Sequence, residues 1–312
     1  MSEVAPRRAR TAPALRQALL VALALCLALP AEAARAKKKR PHKPAGPPPA
    51  RAEDDPRKKG DSPVFARAAI AFAEPKDLSE VDEVSPVRIE LRVAGYALGA
   101  LKPGGPVPHA HLIVDNEPAV EVDDVSMPLA LSGLSRGPHL LRAVLCRPWH
   151  EVVKAPKAFA MVRFWVGPKL PGKAGKAAEF VAWPDPKKPI LTYVLPVGAP
   201  GKDAPALKVT RDRQQQPDAA APEVDAPLEA PQPGADRPVL DFYLAHGRLS
   251  RRGDKLRIVL DRRELPLIVE WKPQHLRRAR RGAHRITIDL LNRRGLTVKN
   301  AVNRTDRSFD AP

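Results

Sequence analysis

Two histidines one residue apart, in the run Pro108-His109-Ala110-His111-Leu112, are the residues best suited to metal chemistry in this chain. At i and i+2 on a strand, two imidazoles face one side and can chelate copper, nickel or zinc. A third ligand is needed, and His139 is expected on the opposite face. The simpler reading, two exposed polar residues on an outer strand face, needs no metal and no cofactor. The loop Arg147-Pro148-Trp149-His150-Glu151 is a second candidate. A tryptophan beside arginine, histidine and glutamate can stack on a sugar ring or receive a peptide. It can equally plug the end of a β-sandwich, with Arg147 and Glu151 paired nearby. Arg277, Arg278, Arg280 and Arg281 form a third candidate, a cationic surface for anions. Nucleophile elbows, glycine-rich phosphate loops and metalloprotease-type histidine helices are all missing from the sequence, so no catalytic set is visible and no enzyme is expected.

The elements that must carry these residues are strands. Pro86 to Ala94 alternates Val87, Ile89, Leu91 and Val93 against Arg88, Glu90 and Arg92, the pattern of a half-buried strand. Further strands are predicted over 64–73, 109–115, 127–131, 139–145, 158–166, 190–195, 239–244, 255–260, 267–271, 284–290 and 296–302. Turn residues fall between them, as in antiparallel sandwiches.

One β-domain occurs twice. Gly137-Pro138-His139-Leu140-Leu141-Arg142-Ala143 matches Gly282-Ala283-His284-Arg285-Ile286-Thr287-Ile288, and the same offset pairs Lys154 with Lys299. A shift of one residue pairs Asp115 with Asp261 and His111 with Arg257. The repeat places Ala110, Leu112 and Val114 on a core face, which leaves His109 and His111 outside. His139 and His284 fall on the core side near a strand start, where hydrogen bonds to backbone are expected.

The rest of the chain is leader and linker. Arg7, Arg8, Arg10 and Arg16 precede an apolar run from Ala18 to Leu29 that is short for a bilayer span, and Ala31-Glu32-Ala33 ends in a small-x-small cleavage pattern. Residues 1–33 are read as a signal peptide. Cys26 lies in it, preceded by Leu25 where lipidation requires a small residue. Cleavage leaves no transmembrane span, and Cys146 without an intramolecular disulfide partner. Of the 37 prolines many fall in 34–63, a basic tether, and in 196–237, a second linker; such stretches cannot offset their ordering entropy by burial. The expected plan is therefore all-β: 1–33 signal peptide, 34–63 disordered tether, 64–168 first sandwich, 169–195 connector with a short strand, 196–237 disordered linker, and 238–312 second sandwich.

Net charge is +18, and residues 237–307 carry nineteen Lys or Arg against seven Asp or Glu. Nucleic acid suits this charge but not an exported address, and three tyrosines offer little base stacking. An anionic envelope polymer, a lipid surface or another envelope protein suits both. With the Pro-His-Ala-His-Leu, Arg-Gly-Pro-His (136–139), Arg-Pro-Trp-His-Glu and Val-Leu-Asp-Phe-Tyr-Leu (239–244) runs in hand, the chain resembles exported bacterial proteins with paired immunoglobulin-like sandwiches. That resemblance implies the fold and a periplasmic or envelope address, and brings no activity. The expected function is a non-enzymatic envelope-binding protein. The alternatives are a periplasmic metal-binding protein using His109 and His111, and a hydrolase.

Overall fold

The computed structural model describes residues 65–99, 107–199, 206–211 and 238–312, all within one compact unit spanning 53–312. The expected signal peptide, tether and most of the second linker lie outside the described residues.

The first module pairs two sheets over one apolar core. One sheet runs β1 (Ala69–Glu74), β3 (Val87–Ala94), β6 (Leu129–Ser132) and β10 (Lys208–Arg211). The other runs β2 (Ser79–Val81), β8 (Phe159–Val166), β7 (Gly137–Cys146), β4 (His109–Val114) and β5 (Val120–Val122). Ile89 and Leu91 of β3 meet the face of the second sheet that carries Ala110, Leu112 and Val122, so this is the core face the alternation predicts. The strand β10 falls inside the stretch expected to be a linker; its four residues pair with β6 and bury Val209.

The second module pairs β9 (Ile190–Leu195), β11 (Val239–Ala245) and β14 (Gln274–His275) in one sheet with β12 (Lys255–Leu260), β13 (Arg263–Glu264), β15 (Gly282–Leu291) and β16 (Arg304–Ala311) in the other. Two predicted strands are corrected here. The stretch 267–271 reduces to one bridge, Leu256 with Ile268, because Pro266 and Pro273 bracket it and each lacks an N–H. The return strand is not 296–302 but β16, whose polar run Arg304-Thr305-Asp306-Arg307-Ser308-Phe309 still turns Thr305, Phe309 and Ala311 inward. The connector also holds an unpredicted helix, α1 (Gly172–Ala182). Its flanking prolines and internal glycines read as linker. Gly175 is required because a Cβ there would lie 2.0 Å from the Leu170 carbonyl oxygen.

The repeat is visible in atomic detail at one corner of each module. Asp115 adopts φ 52° and accepts from the Leu140 N–H at 2.9 Å and from His139 Nδ1 at 2.9 Å; His139 Nε2 donates to the Ser135 carbonyl at 2.7 Å. Asp261 at φ 49° repeats this with the Arg285 N–H at 2.9 Å, His284 Nδ1 at 2.6 Å and the Arg280 carbonyl at 2.5 Å. Both rings face acceptors at both nitrogens, which suits the imidazolium. Burial works against charging, yet the carboxylate and the carbonyl hold both histidines above the ordinary pKa.

The expectation that fails is the exposure of His109 and His111. Both are fully buried, as is every residue of β4. Their face of the sheet is covered by the second module and by the chain following β7. Arg142, on that same face, is fully buried and donates to Thr192 Oγ1 at 3.1 Å and to the Asp115 carbonyl at 2.6 Å. Ile190, Val194, Tyr243 and Ala245 belong to the first module's core rather than to the second's.

Candidate metal centre

Strand pairing assembles the site. His109 and His111 lie two apart on β4, and β5 sets Glu121 directly opposite His111. On the other flank β7 sets Cys146 opposite His109, then leaves the sheet through the Arg147–Glu151 turn. In that turn the Arg147 N–H donates to the Glu151 carbonyl and the His150 N–H donates to the Arg147 carbonyl, both at 2.8 Å. The second module builds the same turn, with the Asn292 N–H on the Leu296 carbonyl at 2.8 Å and the Gly295 N–H on the Asn292 carbonyl at 2.9 Å. His150 therefore stands where the repeat has Gly295. Both are left-handed, at φ 62° and 77°. A histidine held in this region costs about 1–3 kcal/mol and persists where the surroundings or a function demand it.

The turn carries the His150 ring back over β4. His109 Nε2 lies 3.1 Å from His111 Nε2, which lies 3.4 Å from His150 Nδ1. One ring nitrogen from each of the three residues lies within 4.8 Å of the other two, and all three residues are buried. Nitrogens about 2.0–2.1 Å from a tetrahedral ion are separated by about 3.3 Å, so this spacing fits one ion among three imidazoles. His109 Nδ1 is 2.8 Å from the Val107 carbonyl oxygen, which fixes its proton there and leaves Nε2 as a lone pair facing the cluster. Glu121 adds a carboxylate, with Oε1 3.3 Å from His109 Nδ1 and Oε2 3.9 Å from His150 Nδ1.

Without a cation this cluster is poorly matched. His109 Nε2 can only accept, so the proton between it and His111 must come from His111, whose Nδ1 is buried without a hydrogen-bond partner among the described residues. Protonation is resisted: burial lowers the pKa of all three rings, His109 to about 4, and neighbouring rings disfavour charge on His109 and His111 further. Neutral imidazole is the metal-binding form. Burial, then the Asp123 charge, pushes the Glu121 carboxyl up.

The remaining candidates divide. His150 joins the histidine pair. Arg147 is buried, with its guanidinium 4.7 Å from the Phe65 ring centroid and 5.8 Å from that of Trp149. Trp149 is half-buried and its Nε1 donates to Glu151 at 2.9 Å. Arg277, Arg278, Arg280 and Arg281 are exposed at the start of β15, in the other module. Glu121 was not singled out in the sequence, where Val120-Glu121-Val122 shows no sign of its cross-strand neighbour. His150 had a usable signal, since the repeat aligns it with a turn glycine.

Support for the turn comes from the second module. Asp241, on β11, is fully buried, accepts from the Val152 N–H at 2.8 Å and pairs with Lys154 Nζ at 2.9 Å. The Tyr243 hydroxyl donates to the Ala155 carbonyl at 2.7 Å, and its ring stacks on Phe159 at 5.0 Å. Chain 152–159 is thus held from outside its own sandwich.

No protein-family model matches the chain, and no curated protein matches it in sequence. Among solved structures, the fibronectin(III)-like modules of CbhA from Clostridium thermocellum align at 10% identity and TM-score 0.22, over 78% of this chain and 93% of theirs. The central fibronectin-III array of RIM-binding protein aligns at 8% and 0.22, over 80% and 70%. The Bacteroides ovatus SGBP-B in complex with a mixed-linkage heptasaccharide aligns at 12% and 0.21, over 77% and 70%. At these scores the likenesses carry no argument, and the paired sandwiches rest on the chain's own strand pairing.

Proposed function

We propose that the chain is a non-enzymatic metal-binding protein whose first β-sandwich holds one first-row transition ion, zinc or copper(II), through His109, His111 and His150. The observation that carries this reading is the convergence of three buried imidazoles at metal-ligand spacing. Imidazole ligands suit both ions, and Glu121 is positioned to complete or orient the set. The test is calorimetry and thermal unfolding of the full chain with zinc, copper(II) and magnesium. One equivalent of zinc or copper should bind at submicromolar affinity and raise the unfolding temperature, and magnesium should do neither. A wild-type chain that binds neither ion more tightly than micromolar sinks the reading.

A second reading keeps the envelope role. Arg277, Arg278, Arg280 and Arg281 are all exposed, and none is ion-paired among the described residues. In an exported protein they would face lipid phosphates or acidic glycans, with binding that weakens as salt screens exposed charge. Converting all four to glutamine should abolish low-salt binding to envelope extracts; unchanged binding would reduce the cluster to solvation.

A further inference from the structure

The turn that carries His150 in the first module has a second life in the other. Its counterpart, 292–296, forms one wall of an open groove of about 730 Å³. Arg293 and Arg294 line it from the turn, His246 and Arg248 line it from the chain leaving β11, and Asp254 is the one acid among the lining residues. Three guanidiniums against one carboxylate leave a formal +2 with His246 neutral. A phosphate monoester carries about −1.5 to −2 at neutral pH, so the charges match.

Both walls are set before any ligand arrives. Asn292 Oδ1 accepts from the Arg294 N–H at 2.9 Å and from the Leu296 N–H at 3.1 Å, and Gly295 supplies the left-handed residue that closes the turn. On the facing side a Cβ at Gly247 would lie 3.0 Å from Pro189 Cβ and one at Gly253 would lie 2.5 Å from Ser250 Oγ, so both segments pack closely. Arg248, Arg293 and Arg294 are exposed and have no ion-pair partner among the described residues. Their forks remain available for bidentate contacts to phosphate oxygens. Leu296, 61% exposed beside them, offers an apolar seat for the organic part of a ligand.

We propose that this groove is a binding site for a phosphate monoester, and that it is separate from the arginine cluster at 277–281. The two arginine sets flank opposite ends of β15, about 30 Å apart at a strand rise of about 3.3 Å per residue. The site lies in the second module and does not depend on the metal centre.

The experiment is calorimetry on the full chain with inorganic phosphate, a hexose 6-phosphate and the unphosphorylated hexose, at low and physiological salt. Both phosphates should bind, the hexose phosphate more tightly, and the bare hexose should not. Arg293→Gln/Arg294→Gln should weaken binding about tenfold or more, and the paired Lys substitutions should weaken it less. The four-fold Gln variant at 277, 278, 280 and 281 should bind as wild type does. All these side chains are exposed, so folding is checked by circular dichroism rather than assumed. No binding of either phosphate at millimolar concentration overturns the proposal, as does an equal loss in both variant sets, which would mean a diffuse positive field.

Discussion

The two modules share a histidine and differ by three. His139 and His284 occupy equivalent corners, each clamped between a left-handed aspartate and a backbone carbonyl. His109, His111 and His150 have no histidine counterparts: the repeat has Lys255, Arg257 and Gly295 there. The corner recurs because it solves a local problem, the satisfaction of backbone and side-chain donors where the chain enters β7 or β15. Among the described residues the cluster appears once, is costly to bury, and leaves a ring nitrogen without a partner. A feature that both copies keep reads as architecture. One that only a single copy carries, against the energetics of burial, reads as a site.

The difference can be broken most strongly from outside the site. Asp241→Ala strands the buried Lys154 ammonium and frees the Val152 N–H, and removing one partner of a buried pair costs about 3–5 kcal/mol. Chemical unfolding should show that loss. The metal-induced rise in unfolding temperature should shrink as well, because the segment after His150 loses its anchor. A variant with normal stability would mean that the second module does not support the turn.

Within the site, His111→Ala should weaken zinc or copper affinity by more than about 100-fold, the upper range for second-shell losses alone. His150→Gly is the sharper variant. Glycine takes the left-handed turn in the repeat, so stability should hold or improve, while metal affinity falls by at least about tenfold. Retained affinity in His150→Gly would remove this residue from the ligand set. His139→Gln should leave metal binding unchanged.

At the corners, Asp115→Ala should cost about 1.5–3 kcal/mol, as loss of charged hydrogen bonds does. Asp261→Ala should cost less, since Asp261 is the more exposed of the two and solvent screens its interaction. Equal losses in urea unfolding would argue against burial as the difference.

The smallest effect is a matter of sign with pH. Corner histidines have raised folded pKa values, so their contribution is full below about 6.5 and is lost as pH rises through the folded value. The metal-free cluster behaves oppositely. Its contribution is full above about 6.5 and is lost as pH falls toward the folded value, about 4 for His109. The penalty of Asp115→Asn should therefore be larger at pH 5.5 than at pH 9, and a penalty that grows with pH would contradict the charged corner. In the triple His→Ala variant at 109, 111 and 150, the acid-side decline in stability should be shallower than in the metal-free wild type.

Alternation alone determined much of this protein. The strands 87–94, 109–114, 137–146, 255–260 and 282–291 form where apolar residues recur at alternate positions, those at 190–195 and 239–245 where a short apolar run stands between turn residues, and the 145-residue offset between the Gly-x-His runs marks two copies of one corner. Such patterns are local, and one strand and one turn suffice to produce them. The helix at 172–182 and the strand at 304–311 were hidden because proline flanks and a polar run carry weak local signals; the helix buries only Gly175, and the inward residues of the strand gain their burial from distant neighbours.

Only the tertiary structure decided what covers the outer face of β4. Period-two reading assigns one face to the core and the other to solvent, and this holds in part for Lys255 and Arg257, which are half-buried in the second module. In the first module that outer face is sealed by residues far along the chain, including Ile190 and Tyr243, and by a turn whose path depends on Asp241. A sequence reveals that His109 and His111 share a side. Whether that side meets water or a third imidazole depends on how one sandwich packs on the other, and it is this packing that removes the water and brings His150 within 3.4 Å of His111.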